Sequence, residues 1–464
     1  MKSNLSNLSL SIKNNPQEFQ NYLLLCLEYL QQGLRDSASR AFRQAARIEF
    51  RQPHLFLEAF RGLISRPDLL HGFLEFLSVE SYITSKAQEV NSIRQIIRLI
   101  LQELESTPNI PTNIFGYLGY FKNIEEDYET GRAYLERCIN NHGNNLFLAR
   151  TLSESLLGSW NLNSHQHSGV DLSTLRNFED FAREATLSIK PLQIQIVNDV
   201  DTSALDAIVF LSSDGVYFET LGLAQAISIV ETSPSMGLHF HIMNPNENSF
   251  NLISKFASLF PQTYLSTSHE VVDYAQAGSW ERKTYYASAR FCRAASFLST
   301  SNVPIIITDA DVLFKRNILS LLDLYREGDW KTKIDFALMV PFKTMPLVPL
   351  YAKFFASFVL VTNTRAARDY LFQVSYFIEK NLARGACWTL DQLALLAVFE
   401  ARNINMLDTN LWEIPCNEGL DHASAEEEIP SDGIIMTSTG EGKFGSNRYT
   451  EVVKKYLKKY SFPS

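Results

Sequence analysis

The second half of the chain alternates between two patterns of apolar residues. Short runs rich in β-branched and aromatic side chains are typical of buried strands, and the stretches between them repeat apolar residues every three or four positions, as helices do. This alternation favours an α/β fold with a mostly parallel sheet covered by helices, over about residues 200–464. Strands are predicted at 207–211, 238–243, 303–308, 334–340, 357–362 and 433–437. Helices are predicted at 217–230, 248–259, 284–299, 365–380, 389–402 and 447–459.

Residues 1–160 carry a helical pattern of a different kind. Small and large apolar residues in two places fit the packing positions of a tetratricopeptide repeat, a helical hairpin of about 34 residues. The two sets start 93 residues apart, which is not a multiple of that period. We therefore expect an all-α, degenerate helical-repeat domain that acts as a partner-binding surface or as a spacer or dimerisation unit. The positions are Tyr22, Leu25, Tyr29, Ala38, Phe42 and Ala45, then Phe115, Leu118, Gly119, Gly131, Leu135 and Cys138.

A polar stretch separates the two regions. Residues 161–173, NLNSHQHSGVDLS, are rich in turn-forming and polar residues, and a helix is predicted at 174–188. We assign 161–199 as a linker with a connecting helix. His165 and His167 lie two residues apart, but an exposed connector explains them better than a metal site does.

The stretch VPIIITDADVLF, residues 303–314, is the most informative one for chemistry. Its β-branched run predicts a strand buried on both faces, and the run ends at Asp309 and Asp311. Open α/β sheets bind ligands outside the carboxyl ends of their strands. Two neighbouring carboxylates repel each other unless a cation compensates them, and Mg²⁺ or Mn²⁺ prefers carboxylate oxygen while it leaves positions free for phosphate. The two aspartates are therefore candidate metal ligands, and a solvated acidic turn is the alternative.

Composition and charge narrow the classes of function. A chain of 464 residues exceeds one ordinary core, and 45% of the residues are hydrophobic, so we expect a globular protein of two or three domains. With 42 basic against 51 acidic residues, the net charge of −9 gives no basis for general nucleic-acid binding. The 5 cysteines are far apart, which indicates buried thiols rather than a disulfide framework or a zinc site.

The sequence predicts no membrane segment. Its amino-terminal stretch, MKSNLSNLSLSIKNNPQ, is polar and lacks the apolar core of a secretion signal. The most apolar later run, FFASFVLV at 354–361, is too short to span a bilayer. We therefore expect a cytoplasmic protein without a transmembrane segment, and attachment to a membrane through a partner stays open.

An ordered set of short segments resembles nucleotide-sugar glycosyltransferases of the GT-A fold, and among them the retaining group of glycogenin and the lipopolysaccharide galactosyltransferases. The resemblance covers residues 206–443 and depends on the order and spacing of the segments. It implies a GT-A, Rossmann-like domain that takes a nucleotide-sugar donor, expected to be a UDP-sugar, with Mn²⁺ or Mg²⁺ as cofactor. The segments are AIVFLSSDGVYF (207–218), LHFHIMN (238–244), YASAR (286–290), TDADVLF (308–314), ASFVLVTNT (356–364), WTLDQLAL (388–395) and TSTGEGK (437–443).

The resemblance also implies roles for the residues that follow the first and third predicted strands. Asp311 would bind the metal directly, and Asp309 would bind the metal, the donor ribose or both. Ser212, Ser213 and Asp214 would line the nucleoside pocket. Asp214 is equally suited to cap the following helix, a common role for aspartate.

Basic residues and glycines are expected around the donor diphosphate. Arg290 would face the donor because a guanidinium pairs two oxygens at once, and Arg293 is the competing arginine on the same helix. Gly440, Gly442 and Lys443 would form a loop that closes on the pyrophosphate, since glycines allow close backbone approach. The alternative for this loop is a surface turn before a helix.

The predicted helix at 389–402 carries the candidate catalytic pair. Asp391 would bind hydroxyls of the donor sugar, and Gln392 would stabilise the cationic anomeric carbon. The structural alternative is that Asp391 only favours the positive end of the helix. His239 and His241 share one face of a strand, and we expect them to be packing residues rather than ligands.

The sequence departs from the family at one position. The family places a histidine metal ligand three residues before the first glycine of the closing loop, and here that residue is Thr437. Either water or another group completes the coordination, or the metal is held by the two aspartates and phosphate alone. Asp421 and His422 are conceivable replacements, although their acidic loop is expected to be solvated.

The sequence thus predicts a metal-dependent, hexosyltransferase-type glycosyltransferase, retaining by resemblance, that acts on a glycan or protein acceptor. The helical domain would bind a protein partner or help to recruit the acceptor. Two other classes of protein stay open. One is a non-catalytic scaffold with a decayed transferase domain, which Thr437 favours. The other is a sugar nucleotidyltransferase, but such enzymes carry a glycine-rich, basic signature where this chain reads SSDGVYFE.

Overall fold

The structure of the chain is a computed structural model. The chain forms two compact units, one of residues 1–161 with 342–350 and one of residues 162–341 with 351–464. The residues that the structure describes are 11–14, 19–47, 53–83, 87–143, 145–162, 170–273, 279–320, 330–340, 347, 349–383, 389–415, 420–422, 435–437 and 448–463.

The first unit is helical throughout its described part, and short turns join neighbouring helices into hairpins, as in α1 with α2 and α6 with α7. Its α-helices are α1 (Phe19–Gln31), α2 (Arg35–Arg47), α3 (Pro53–Ile64), α4 (Pro67–Ile83), α5 (Ala87–Ser106), α6 (Phe115–Ile124), α7 (Tyr128–His142) and α8 (Leu146–Gly158).

Glycines bring α6 and α7 into close contact. A Cβ atom at Gly119 would lie 2.5 Å from Cγ of Leu135 and 2.9 Å from the carbonyl oxygen of Gly131, so only glycine fits there. All three residues are predicted packing positions and are buried.

In α1, by contrast, the buried face is shifted from the predicted one. Leu23, Cys26 and Leu27 are buried, whereas Tyr22 and Leu25 are half-buried. The apolar run of this helix is continuous, so its pattern does not determine which face turns inward.

The second unit is built on an eight-stranded sheet in the order β1-β4-β3-β2-β5-β8-β7-β9. The adjacent strands β4, β3, β2 and β5 are parallel, and so are β7 and β9, while β1 and β8 run antiparallel to their neighbours. The predicted α/β fold with a mostly parallel sheet is confirmed. The strands are β1 (Gln195–Asn198), β2 (Ala207–Asp214), β3 (Met236–Met243), β4 (Leu265–Glu270), β5 (Ile305–Thr308), β6 (Leu313–Phe314), β7 (Phe336–Val340), β8 (Phe355–Val361), β9 (Leu411–Pro415), β10 (Leu420–His422) and β11 (Ile435–Thr437).

Helices cover both faces of this sheet. On β2, Val209 and Leu211 belong to the apolar cluster packed on α11, whereas the ring of Phe210 contacts Phe297 of α13. The helices of this unit are α9 (Phe178–Ser188), α10 (Gly215–Tyr217), α11 (Leu223–Thr232), α12 (Glu247–Leu259), α13 (Ser279–Leu298), α14 (Trp330–Lys333), α15 (Arg365–Leu382), α16 (Leu390–Ile404) and α17 (Arg448–Lys459), and one π-helical turn, Phe218–Gly222, joins α10 to α11. Among the described helices, none is both long enough and apolar enough to cross a membrane.

The sequence pattern did not predict β4, whose residues read LSTSHE. The two ring nitrogens of His239 on β3 each lie 2.8 Å from a hydroxyl of β4, one from Ser266 and one from Ser268. Nδ1 of His241 also lies 2.8 Å from the Ser268 hydroxyl. Because both histidines are fully buried, the polar residues of β4 face polar partners and the strand needs no apolar run.

The order of the parallel strands creates a switch point between β2 and β5. From β2 the chain moves outward to β3 and β4, and it then returns to β5 on the other side of β2. In doubly wound sheets, the crevice at the carboxyl ends of the strands beside such a reversal binds ligands. Here the residues that follow β2 and β5 therefore lie at the edge where such sheets bind ligands.

Candidate active site

The predicted acidic pair lies in the turn after β5. Asp309 and Asp311 flank the buried Ala310, and the Asp309 side chain keeps 37% of its surface exposed. Asp311 is only 2% exposed. The two carboxylates therefore differ: one opens to solvent, and the other is held inside the unit.

Two tyrosines hold Asp311. The hydroxyl of Tyr217 in α10 donates to Oδ2 of Asp311 at 3.1 Å, and the hydroxyl of Tyr449 in α17 donates to its carbonyl oxygen at 2.8 Å. Burial and the negative charge of Asp311 raise the pKa of both phenols, so both remain hydrogen-bond donors. The sequence reasoning missed both residues, because nothing in the pattern links Tyr449 to a turn 138 positions away.

Arg290 of α13 connects the acidic turn to the candidate catalytic helix. Its Nη1 forms an ion pair with Asp309, and its Nη2 donates to Oδ2 of Asp391 at 2.9 Å and to the carbonyl oxygen of Ala356 at 3.0 Å. Arg293 instead donates to Glu270 through Nε at 3.0 Å and Nη2 at 2.6 Å. Of the two arginines that the sequence left open, Arg290 is the one at the site.

Burial acts on both members of the Arg290–Asp391 pair. It lowers the pKa of Arg290, and the charges of Asp391 and Asp311 act in the opposite direction. It raises the pKa of Asp391, and the Arg290 guanidinium partly reverses that effect. Arg290 is 4% exposed and its Nε has no hydrogen-bond partner within the described residues. A buried donor without a partner is costly.

Asp391 and Gln392 stand at the start of α16. Oδ1 of Asp391 accepts from the Gln392 amide at 2.9 Å, while Oδ2 is bound to Arg290. Asp391 is buried, and Gln392 is half-buried. The Asp391 carboxylate thus interacts both with the positive end of the helix and with the Arg290 guanidinium. Stabilising the start of α16 is therefore compatible with a role at the site.

The carboxyl end of β2 carries the predicted nucleoside-pocket residues. Oδ1 of Asp214 accepts from the Tyr217 amide at 2.8 Å, which is the capping role that the sequence left open. The hydroxyls of Ser212 and Ser213 are buried and have no partner within the described part of the chain. Unpaired buried hydroxyls at this edge fit a site that a polar ligand completes.

Comparisons with known proteins give similarity only at the level of the fold. No protein-family model matches the chain, and no curated protein sequence matches it. Among solved structures, it is similar to the galactosyltransferase LgtC, at 13% identity over 54% of this chain and 95% of that chain, with a TM-score of 0.35. The glycosyltransferase GlyE of Streptococcus pneumoniae TIGR4 aligns at 14% identity over 55% of this chain and 60% of its own, with a TM-score of 0.34. Mouse xyloside xylosyltransferase 1 aligns at 9% identity over 50% of this chain and 96% of its own, with a TM-score of 0.31.

The strand β11 runs beside the acidic turn. Met436 pairs with Leu313 of β6 in an antiparallel register, so Thr437 continues along the chain toward Asp311. His422 of β10 is the register partner of Thr437 in the same small sheet. The backbone thus places His422 one strand away from Thr437. The predicted loop residues Gly440, Gly442 and Lys443 lie outside the described residues.

The two aspartates fit a hard divalent cation by the chemistry of their oxygen donors. Carboxylates are the ligands that Mg²⁺ and Mn²⁺ prefer, and such ions commonly complete their shell with water and substrate phosphate. No cluster of three or more His, Cys, Asp or Glu side chains suited to a metal occurs among the residues that the structure describes. The oxygen donors of Asp309 and Asp311 are of the type that such an ion prefers.

Proposed function

We propose that the second unit is a metal-dependent glycosyltransferase that transfers a sugar from a nucleotide-sugar donor, expected to be a UDP-sugar, to a glycan or protein acceptor. One observation carries the proposal. Arg290 bridges Asp309 and Asp391 at the carboxyl edge beside the switch point, although the three residues belong to distant parts of the chain. Ion pairs formed by buried arginine cost desolvation free energy, so their concentration at a ligand-binding edge favours a functional site.

The donor diphosphate and nucleoside would occupy the crevice outside the carboxyl ends of β2 and β5. Ser212 and Ser213 offer hydroxyls that have no hydrogen-bond partner among the residues that the structure describes, and the Asp214 side chain is fixed by its bond to the Tyr217 amide. A divalent ion held by Asp309 and Asp311 would neutralise the charge that develops on the departing pyrophosphate. Lys443 with its two neighbouring glycines is proposed to add a further positive charge there.

The Arg290–Asp391 pair would orient the donor sugar. Asp391 is preorganised by Arg290 and by the Gln392 amide, so its oxygens are fixed before a substrate binds. Gln392 stands beside it with a half-buried side chain that would stabilise positive charge at the anomeric carbon. Retention of configuration at that carbon is proposed from the resemblance alone. The helical unit is proposed to bind the acceptor or a protein partner.

The proposal is tested by a screen of nucleotide-sugar donors for Mn²⁺-dependent hydrolysis and transfer. Asp309→Asn keeps the size of an exposed side chain and removes its charge, so it should retain the fold and reduce turnover by at least about 100-fold. Asp206→Asn is the matched control, because Asp206 pairs with Lys331 away from the site. Wild-type protein that neither binds nor hydrolyses any donor would refute the proposal, and so would equal activity of the two variants.

A second candidate is a non-catalytic protein that binds nucleotide sugars. Thr437, in place of the family histidine, favours it. Calorimetric binding of UDP with Mn²⁺ but no hydrolysis or transfer with any donor would select this candidate over the enzyme.

A further inference from the structure

Helix α11 carries polar side chains on its buried face. Its apolar residues pack on the sheet, yet Gln225 and Ser228, three positions apart and therefore on one face, are both fully buried. Ser233, directly after the helix, is fully buried as well. Buried polar side chains of this kind are tolerated only where they make hydrogen bonds.

Each of these side chains binds the last residue of β5 or the segment that follows it. Nε2 of Gln225 donates to the hydroxyl of Thr308 and to the carbonyl oxygen of Asp309, both at 2.8 Å. The Ser228 hydroxyl accepts from the Phe314 amide at 3.0 Å. The Ser233 hydroxyl accepts from the Ile318 amide at 2.9 Å.

Gln225 holds the point where the strand becomes the acidic turn. Thr308 faces α11, and because successive side chains alternate across a strand, Asp309 faces Arg290 of α13 on the opposite side. The peptide carbonyl of Asp309 is therefore fixed from one side of the sheet and its carboxylate from the other. Rotation of that peptide would redirect both carboxylates of the turn.

The side chain of Gln225 carries an energetic cost that packing alone does not explain. Its Oε1 is buried and has no hydrogen-bond partner among the described residues. An apolar side chain of the same length would fill the space without this unsatisfied acceptor. The amide is thus best explained by what its nitrogen holds.

We propose that Gln225 is a positioning residue: by holding the Asp309–Ala310 peptide and the Thr308 hydroxyl, it fixes the directions of the Asp309 and Asp311 carboxylates beside the donor crevice. This inference rests on the proposed function. It assigns to Gln225 no contact with the substrate, since the side chain is fully buried behind the turn.

The test compares Gln225→Met with Ser228→Ala. Methionine keeps the length and volume but donates no hydrogen bond, whereas Ser228→Ala removes a bond from the same helix to the backbone beyond the turn, at Phe314. Three quantities are measured for wild type and both variants: the melting temperature, the Mn²⁺ affinity by calorimetry, and kcat and KM for the best donor.

We expect both variants to lower the melting temperature, and only Gln225→Met to weaken Mn²⁺ binding and to lower kcat/KM, by about 100-fold, the scale of a misplacement of about 1 Å. Equal Mn²⁺ affinity and equal kcat/KM in the two variants would overturn the inference and leave the proposed function intact. If wild type turns over no donor, the proposed enzymatic function is refuted. A loss of Mn²⁺ affinity in Gln225→Met but not in Ser228→Ala would then still support the positioning role. Absence of both turnover and Mn²⁺ binding in wild type would refute both.

Discussion

Nη2 of Arg290 lies 2.9 Å from Oδ2 of Asp391, although 101 positions separate the two residues in the chain. Both are almost completely buried; Asp391 depends on Arg290 for a cationic partner, and Arg290 pairs with Asp309 as well. The pair joins α13 to α16 and places a preorganised carboxylate beside the acidic turn after β5.

Removing either charge of this pair should be costly. We expect Arg290→Met to lower the free energy of unfolding by about 3 kcal/mol, because it leaves the buried Asp391 carboxylate without its cationic partner. Asp391→Asn should lower it by less, because Arg290 keeps its ion pair with Asp309. The double variant should lose less than the sum of the two. Urea denaturation of all four proteins measures this coupling.

Arg293→Met serves as the control for that cycle. Arg293 lies on the same helix as Arg290 and pairs with Glu270 of β4, but it is more exposed than Arg290, so its loss should cost about 1 kcal/mol. Strictly additive effects of Arg290→Met and Asp391→Asn would contradict the pairing.

Loss of the Tyr449 hydroxyl should affect stability and Mn²⁺ binding more than loss of another tyrosine hydroxyl on the same helix. Its hydroxyl donates to the carbonyl oxygen of Asp311, so Tyr449→Phe should lower stability by about 1 kcal/mol and weaken Mn²⁺ binding. Tyr456→Phe, which also lies in α17 and is half-buried, should change stability by less than about 0.5 kcal/mol and leave Mn²⁺ affinity unchanged. Thermal denaturation and calorimetry decide between the two outcomes, and similar behaviour of both variants would remove Tyr449 from the site.

The helical unit should show a pH-dependent stability set by Glu154. Its Oε1 accepts from the Leu350 amide at 2.6 Å and its Oε2 from Asn123 at 3.4 Å, but burial raises its pKa from 4.5 to about 7. The folded state therefore binds more protons than the unfolded state between these values. The contribution of Glu154 to stability is greatest below about pH 4.5 and is lost as pH rises toward 7.

Glu154→Gln tests this assignment. The neutral amide needs no desolvation of charge, so the variant should exceed wild type by about 3 kcal/mol at pH 8 and by much less at pH 5. Glu75→Gln, which breaks an exposed pair with Arg35, should show no such divergence. Denaturation monitored by circular dichroism at both pH values is the measurement, and parallel curves for wild type and Glu154→Gln would exclude the raised pKa.

Thr389 stores backbone strain next to Asp391 and Gln392. It precedes α16 with φ at 73°, in the left-handed region that β-branched residues avoid. Thr389→Gly and Thr389→Ala both remove the side chain, but only glycine relieves the strain. We expect the glycine variant to be about 1 kcal/mol more stable than the alanine variant by chemical denaturation. Equal stabilities would show that this conformation is not strained.

Periodicity alone predicted most elements near the site. Every strand predicted after residue 200 is present, although several bounds differ, and the acidic pair does follow β5. These predictions succeeded because burial of both faces of a sheet imposes apolar runs that are visible locally. The same reasoning missed β4, since its serines face buried histidines rather than an apolar layer.

The sequence by itself determined the α/β alternation and the position of Asp309 and Asp311 at the end of a buried strand, because both follow from local side-chain patterns. Only the tertiary structure decided that Arg290 rather than Arg293 pairs with Asp309, and that Gln225 and Tyr449 hold the turn. Such contacts join residues far apart in sequence, and they depend on the rotation of each helix against the sheet. The spacing of apolar residues does not determine which of two neighbouring helix residues faces the site. A hydrogen bond, in contrast, requires its two atoms to be placed to within a fraction of an ångström.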